Sequence, residues 1–439
     1  MTFTFSGGFF TALLSLLLSP VITRLYAPDA YGVFSLFSAI VLNLSMLGTL
    51  RYTQAFVLPK NTKQFRPLFQ LTILLGLIYI LLIGFSLYSF KALITKTFGL
   101  EALGGWYFVI PFVVLLVITN EIVKAYCLRK KLFKLNAGVE VFSSLNAKAI
   151  SVFFGYFLAG NSFGLIFSDI FSRTTFFIAR FSLFTSNRFK RLFRSFSLKK
   201  IKSTFFEYSS YPKYVLPGNY INLFSEQLPL FVLGAYFSTA FTGAYGFGGA
   251  MLSMPMSLLA RSFSSVFLQK GAEVYHSNPD QLAGLTLKLH NRIFYLGLLP
   301  ISFLIVNADW LFSFVFSTNW EYAGVFVQLM AVVSLFKLSS TSIISVRRLY
   351  GKEQHTLYIS IVLVVLRTTG LAVGVYMNDP VLVVAGYCTG NLIGYLINNY
   401  LILNLLKLKA LSIIFKKVLL LGAACSLFYV VKNLISLMF

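Results

Sequence analysis

Cations interrupt the apolar stretches of this sequence at positions where a lipid-facing helix normally carries none. Four lie near the middle of such stretches and three nearer the ends; they are Lys148, Arg173, Lys337 and Arg367, with Arg24, Arg51 and Arg261. An ionisable side chain at the centre of a membrane helix costs at least about 2.5 kcal/mol, so it normally faces a cavity or a partner. Guanidinium and ammonium groups donate well to phosphate oxygens. We therefore predict that these seven residues line a cationic cavity for an anionic group.

Two carboxylates share the same apolar surroundings and offer internal pairing as the alternative. Asp169 and Arg173 are four residues apart on a predicted helix, so they could neutralise each other. Glu226 could pair with Lys148 or another neighbour, and both acids are candidates for binding a coupling proton or sodium ion. The four central cations outnumber the two acids, which favours the cationic cavity.

The composition excludes a soluble globular protein. Of 439 residues, 57% are hydrophobic and only 11% are charged, whereas about a quarter are charged in soluble proteins. The net charge of +24 does not indicate a nucleic-acid partner, because the cations lie in loops between apolar runs and not on one solvated face. The three cysteines and three histidines lack metal-ligand or disulfide spacing. No catalytic residue, metal site or cofactor is predicted.

The apolar stretches are long enough to be membrane helices, which need about 20 residues to cross the hydrocarbon. Thirteen are predicted: 5–24, 32–57, 67–90, 105–127, 137–160, 162–185, 213–236, 243–268, 292–316, 321–346, 355–376, 381–406 and 414–436. The sequence thus predicts an all-α polytopic membrane protein. The last stretch is short between Lys417 and Lys432, so it could span the membrane or lie at its interface.

Most of the 37 lysines and arginines fall in alternate loops between these stretches. The positive-inside rule then places the N-terminus in the cytoplasm, although Arg24 weakly favours the opposite orientation. The densest basic run, 188–202, separates two sets of six segments. In it, Phe189, Leu192, Phe193 and Phe196 have helical spacing, which indicates either a helix on an anionic lipid surface or a solvated basic loop.

The two halves of the chain resemble each other at an offset of about 210 residues. Residues 50–60 align with 260–270, which matches Arg51 to Arg261. Six segments per half is an even number, so the halves enter the membrane in the same direction, a transporter design with a site between the repeats. We predict a lobe at 1–187, a basic linker at 188–212, a second lobe at 213–406 and an additional C-terminal helix at 407–439.

Residues 16–60 and 228–273 resemble the oligosaccharide flippase family, the Wzx-type polysaccharide translocases of the MOP superfamily. The first stretch carries the more specific pattern: Pro20 and Arg24, the turn Pro28-Asp29-x-x-Gly32, Arg51-Tyr52 and Leu58-Pro59. The resemblance implies a bacterial cytoplasmic-membrane protein with a V-shaped pair of six-helix lobes. This sequence departs from the family in an N-terminus without basic residues and in thirteen helices, where twelve or fourteen are usual.

The same resemblance implies a function. Such a protein moves undecaprenyl-diphosphate-linked oligosaccharide from the cytoplasmic to the periplasmic leaflet for assembly of O-antigen, capsule or exopolysaccharide. Its expected partners are membrane lipids, the polysaccharide polymerase and chain-length proteins. Coupling to H⁺ or Na⁺ is left open.

Two other functions are considered. A MATE-like cation-coupled exporter of small molecules would share the fold, but it should place acidic residues in its lobes, and here the membrane charges are net positive. A membrane glycosyltransferase or polymerase should carry a carboxylate near a membrane face and a sizeable outer loop. The outward loops of this chain are short, the longest being 91–104.

Overall fold

The computed structural model describes residues 2–98, 100–181, 192–193, 196–278, 280–352 and 354–438, and every regular element among them is helical. A helix satisfies its own backbone hydrogen bonds, which the hydrocarbon core of a membrane requires. The prediction of an all-α, multi-pass membrane protein is confirmed. The chain divides into two compact units, Met1–Thr242 and Gly243–Phe439.

Unit 1 holds nine α-helices and the start of a tenth within its described residues. They are α1 Thr2–Leu25, α2 Pro28–Leu47, α3 Thr62–Ser89, α4 Lys91–Phe98, α5 Ile110–Arg129, α6 Phe133–Phe157, α7 Ser162–Phe181, α8 Leu198–Glu207, α9 Leu216–Tyr236 and the beginning of α10, Thr239–Ser277. Short 3-10 helices at Tyr52–Val57 and Glu101–Val109 and a π-helical turn at Tyr211–Val215 join some of them.

The helices of unit 1 pack through small residues and buried aromatic rings. Helix α1 lies against α6 and α6 against α7, while α2 contacts α5, α7 and α9. Tyr26, which is fully buried, donates its hydroxyl proton to the carbonyl of Ser151 at 2.7 Å. Gly155 and Gly164 leave room for the same ring, since a Cβ on either would lie within 3 Å of it. Helices α2 and α5, which contact each other directly, carry the site described below.

Unit 2 contains the remainder of α10 and six further helices in the described residues. They are α11 Asp280–Phe316, α12 Glu321–Ser342, α13 Ser345–Leu349, α14 Gln354–Tyr376, α15 Pro380–Leu405 and α16 Ala410–Met438. Helices α14 and α15 pack backbone to backbone, because Gly370 and Gly386 face each other without side chains. Helix α16 packs on α11 and α15.

Buried polar side chains connect the helices of unit 2. His290 on α11 shares a hydrogen bond of 2.9 Å with Asn399 on α15. Lys417 on α16, only 4% exposed, bonds to the His290 ring and donates to its carbonyl oxygen at 3.2 Å. Further along α16, Lys432 forms an ion pair of 3.6 Å with Asp309. The last helix is thus held to α11 at two points.

Each of the thirteen predicted segments overlaps a helix, but several boundaries differ; α11, for example, begins at Asp280 and not at 292. Nine helical stretches in the described part of the chain are long and apolar enough to cross a membrane. The predicted segment 32–57 is wrong at its end, since α2 stops at Leu47 and Leu50 and Arg51 take positive φ values of 45° and 63°. The last helix has 29 residues and is among the nine, so it is longer than its apolar stretch suggested.

The predicted basic linker is only partly described. Phe189, the first residue of the predicted surface helix, lies outside the described residues, and the next described α-helix, α8, begins at Leu198. Helix α9, predicted to open the second lobe, packs on α2 within unit 1. The lobe boundaries at 188–212 therefore stay a prediction.

Candidate functional site

A cavity of about 410 Å³ lies within unit 1 where α2, α5 and α9 meet. This volume falls in the range of small-molecule sites, about 300–1,000 Å³. It suits a headgroup or a small molecule more than an entire oligosaccharide. Its lining residues are Leu42, Ser45, Met46, Arg51, Val117, Glu121, Asn219, Asn222, Leu223 and Glu226.

The spacing of these residues explains why they share one cavity. On α9, Asn219, Asn222, Leu223 and Glu226 follow at intervals of three and four residues, which places them on one face of the helix. The residues on α2 and on α5 follow the same intervals. Three helix faces that mix apolar and polar residues thus converge on one space, and Arg51 lies just beyond the end of α2.

Arg51 is the only cation among the described residues that line the cavity. Its backbone is left-handed, with φ 63° and ψ 10°, and it precedes the 3-10 turn Tyr52–Val57. Its Nη1 lies 3.7 Å from Glu121 Oε1, and Thr53 donates its hydroxyl proton to the same oxygen at 2.7 Å. The buried Nε of Arg51 has no hydrogen-bond partner in the described part of the chain. The guanidinium therefore retains donor capacity beyond its ion pair.

The cavity differs from the purely cationic surface that we predicted. Arg51 and Glu226, both predicted site residues, line it together, but Glu121 adds a second carboxylate. The sequence reasoning missed Glu121, although an acidic residue inside the apolar segment 105–127 was a usable signal. The carboxylates on α5 and α9 supply the counter-charge that a half-buried guanidinium requires.

The remaining predicted residues of unit 1 lie outside this cavity. Arg173 donates from Nε to Asp169 Oδ2 at 2.6 Å, so the alternative of an internal pair is confirmed for these two. Lys148 is partly buried on α6, and Arg24 is exposed near the end of α1.

In unit 2 the three predicted cations have different surroundings. Arg367 has no exposed surface and donates from Nε to Asn391 Oδ1 at 2.8 Å, so its side chain is enclosed between α14 and α15. Lys337 is partly buried on α12, with Nζ 5.8 Å from the ring centre of Tyr395. Arg261 lies on α10, and its side chain is outside the described part of the structure.

Away from the cavity, the N-terminal part of α2 contacts the end of α9 and the first residue of α10. Thr239, the first residue of α10, donates its hydroxyl proton to Asp29 Oδ1 at 2.7 Å. A Cβ on Gly32 would lie 1.9 Å from the Thr239 carbonyl oxygen, so only glycine fits there. Gly234 on α9 faces the Leu36 side chain, which lies 3.1 Å from where a Cβ on Gly234 would be. In the Pro-Asp-x-x-Gly pattern of the sequence, Asp29 thus accepts a hydrogen bond from Thr239, and Gly32 lets the two backbones approach closely.

Comparison with solved structures relates the fold to the MOP superfamily. An inward-facing multidrug resistance MATE family transporter matches with a TM-score of 0.72 at 14% identity, over 89% of this chain and 94% of its own. The lipid II flippase MurJ, in an inward closed conformation, matches with a TM-score of 0.72 at 12% identity, over 98% and 99%. A MOP superfamily transporter from Pyrococcus furiosus matches with a TM-score of 0.53 at 14% identity, over 92% and 94%.

The sequence itself gives the family. No curated protein matches the chain significantly. The family model described as polysaccharide biosynthesis protein matches residues 21–324, which is more than half of the chain and includes α2, α5 and α9. The resemblance noted at 16–60 and 228–273 is confirmed, and the chain belongs to the polysaccharide biosynthesis protein family, with the fold of MOP superfamily transporters.

Proposed function

We propose that this protein is a flippase for undecaprenyl-diphosphate-linked oligosaccharide in the bacterial cytoplasmic membrane. It moves the lipid from the cytoplasmic to the periplasmic leaflet by alternating access and serves cell-surface polysaccharide assembly. The observation that carries the proposal is the family match over residues 21–324, because that region contains the whole of the α2, α5 and α9 cavity. A polymerase and chain-length proteins would receive the product.

Arg51 is the residue that we assign to the diphosphate. Its Nε has no hydrogen-bond partner among the described residues, and its Nη1 is 3.7 Å from Glu121, longer than a hydrogen bond. A phosphate oxygen that enters the cavity can therefore bond to the guanidinium without first breaking a short contact. Asn219 and Asn222 on the facing helix supply amide donors for the remaining oxygens.

Glu121 and Glu226 are the candidates for ion coupling in this proposal. A diphosphate that enters beside two carboxylates meets like-charge repulsion, which a proton or sodium ion on either glutamate would relieve. The membrane potential acts in the same direction as export. A headgroup with two negative charges that moves outward gains roughly 4–5 kcal/mol per 100 mV.

A second function is favoured by one observation, the pair of glutamates. Two carboxylates and one arginine form a lining that also suits a cationic small molecule, and the chain matches a MATE transporter and the MurJ flippase with the same TM-score of 0.72. The alternative is therefore a cation-coupled exporter of MATE type. The two functions predict opposite roles for Arg51, since a guanidinium attracts a diphosphate and repels a cation.

The test uses the full chain in proteoliposomes that contain undecaprenyl-diphosphate-linked oligosaccharide. Translocation is measured, under an imposed potential, as the fraction of glycan that becomes accessible to an added glycosidase. We expect Arg51→Gln to slow translocation about tenfold or more, since a hydrogen bond to a charged group contributes about 1.5–3 kcal/mol. Lys96→Gln, an exposed charge on α4, is the matched control and should keep the wild-type rate.

A second assay separates the two candidates. Efflux of a fluorescent organic cation is measured in the same vesicles with wild type, Arg51→Gln and Glu226→Gln. Absence of cation efflux together with glycan translocation supports the flippase. Robust cation efflux that Arg51→Gln preserves and Glu226→Gln abolishes, without any glycan translocation, would overturn it in favour of the exporter.

A further inference from the structure

Unit 1 contains a second cavity, of about 340 Å³, where the start of α3 meets the start of α8. It shares no lining residue with the cavity at Arg51. Its lining residues are Lys63, Arg66, Pro67, Gln70, Ser197 and Lys200. Three of the six are cations and none is acidic.

The three cations of this cavity have no acidic partner in the described part of the chain. Neither Lys63, Arg66 nor Lys200 forms an ion pair there, and the buried Nε of Arg66 has no hydrogen-bond partner. Like charges gathered around one space repel one another unless an anion lies between them. Lys63 and Lys200 are exposed and Arg66 is partly buried, so the geometry suits an anionic ligand that reaches the cavity from the surface.

The wall of the cavity is held in place by contacts that do not use the cations. Gln70, only 5% exposed, donates from Nε2 to the carbonyl oxygen of Leu192 at 2.8 Å. Phe193 packs edge-on against Phe69 with ring centres 5.9 Å apart. These two contacts connect the basic segment to α3, so the cations from both sides are brought to one site before any ligand binds.

Apolar side chains next to the cavity are exposed in a way that suits lipid. Phe196 and Leu198 flank Ser197 in the chain, and their exposed fractions are 58% and 67%. Phe193 is exposed by 51% despite its contact with Phe69. In a membrane protein, an exposed apolar edge beside basic residues is typical of a segment at the boundary between headgroups and acyl chains. A ligand that fits both features carries an anionic phosphate and hydrocarbon chains.

We propose that this second cavity binds the phosphate of an anionic phospholipid, with the acyl chains against Phe193, Phe196 and Leu198. Lys63, Arg66 and Lys200 contact the phosphate, and the Ser197 hydroxyl donates to one of its oxygens. Since no carboxylate lines the cavity, a choline headgroup gains no partner there, so a zwitterionic lipid is disfavoured. Binding would link α3 to α8 through the lipid, independently of transport at the Arg51 cavity.

The experiment measures lipid binding to the delipidated full chain in detergent. Native mass spectrometry gives the affinities for phosphatidylglycerol and phosphatidylcholine, and inorganic pyrophosphate is added in a separate arm as a soluble phosphate. The variants are Arg66→Gln and Lys200→Gln, with Arg66→Lys as the conservative variant and Lys96→Gln as the control at a distant exposed position. Circular dichroism and gel filtration establish that each variant is folded.

We expect phosphatidylglycerol to bind more tightly than phosphatidylcholine, and each Gln variant to weaken it about tenfold, as expected for the loss of a hydrogen bond to a charged group. Arg66→Lys should retain most of the affinity, and Lys96→Gln all of it. Equal affinity for both lipids, or folded Gln variants with unchanged phosphatidylglycerol binding, would overturn the proposal. Pyrophosphate binding that depends on Arg66, without any phosphatidylglycerol preference, would overturn the assignment to lipid.

Discussion

Replacement of Gly32 by alanine should separate the start of α2 from Thr239. The added Cβ would lie 1.9 Å from the Thr239 carbonyl oxygen, whereas ordinary contacts begin at 3.4 Å. The two segments must therefore move apart by about 1.5 Å, since neither atom belongs to a flexible side chain. A shift of this size also breaks the 2.7 Å hydrogen bond between Thr239 and Asp29.

The magnitude follows from three contributions to the free energy of unfolding. Overpacking costs about 1–3 kcal/mol, and the lost hydrogen bond about 0.5–1.5 kcal/mol. The higher helix propensity of alanine offsets up to about 1 kcal/mol of this loss of stability. We expect a net loss of about 0.5–4.5 kcal/mol, which lowers the Tm by several degrees near the middle of this range.

The assay is thermal unfolding of the full chain in detergent, followed by the fluorescence of a thiol-reactive dye at buried cysteines. Gly84→Ala provides the matched control, because Gly84 lies on α3 with nothing within 4 Å of its added Cβ. Its Tm should stay the same or rise slightly. If Gly32→Ala and Gly84→Ala had the same Tm, the close contact between α2 and Thr239 would not exist as described.

Three further outcomes are expected. In a background without native cysteines, the Ser195→Cys variant should react with a membrane-impermeant maleimide only after permeabilisation, whereas the Ser238→Cys variant should react in intact spheroplasts. The reverse labelling would refute the cytoplasmic N-terminus. Lys417→Met should lower the Tm, because it removes the donor to the buried His290 ring at a cost of about 1–3 kcal/mol, while the exposed Lys416→Met should not. Arg367→Gln should lower both the Tm and the transport rate, because Arg367 has no exposed surface and its loss destabilises the fold. A normal Tm with lost transport would instead indicate that Arg367 binds the substrate.

Hydropathy was sufficient to predict the helices, because each membrane-spanning helix needs a long apolar stretch of sequence regardless of which helices pack against it. It was insufficient at Leu50 and Arg51, where the run continues although the backbone turns left-handed. It also treated Lys417 as one end of the last apolar stretch, whereas the Lys417 side chain is buried on α16 against His290. Hydropathy treats every lysine as exposed, and only the tertiary contact shows the exception.

The candidate site was predictable only in part, for a similar reason. The Asp169–Arg173 pair lies on one helix, so sequence spacing alone indicated it. The contact of Arg51 with Glu121 joins residues 70 apart in the chain, and no local pattern indicates such a pair. Arg367 has no exposed surface because Asn391 and two facing glycine-lined helices enclose it, which the sequence could not show.

The burial of Lys417 has a consequence for how the protein is made. An ammonium group two turns inside a membrane helix disfavours insertion, and its partner His290 lies on α11, which is synthesised earlier. Insertion of α16 should therefore be favoured when α11 is already in place, because the contact with His290 compensates for burial of the Lys417 side chain. Packing of α16 against α11 would then be a late step of assembly, and reporters fused to isolated α16 would give a different topology from reporters fused to the intact protein.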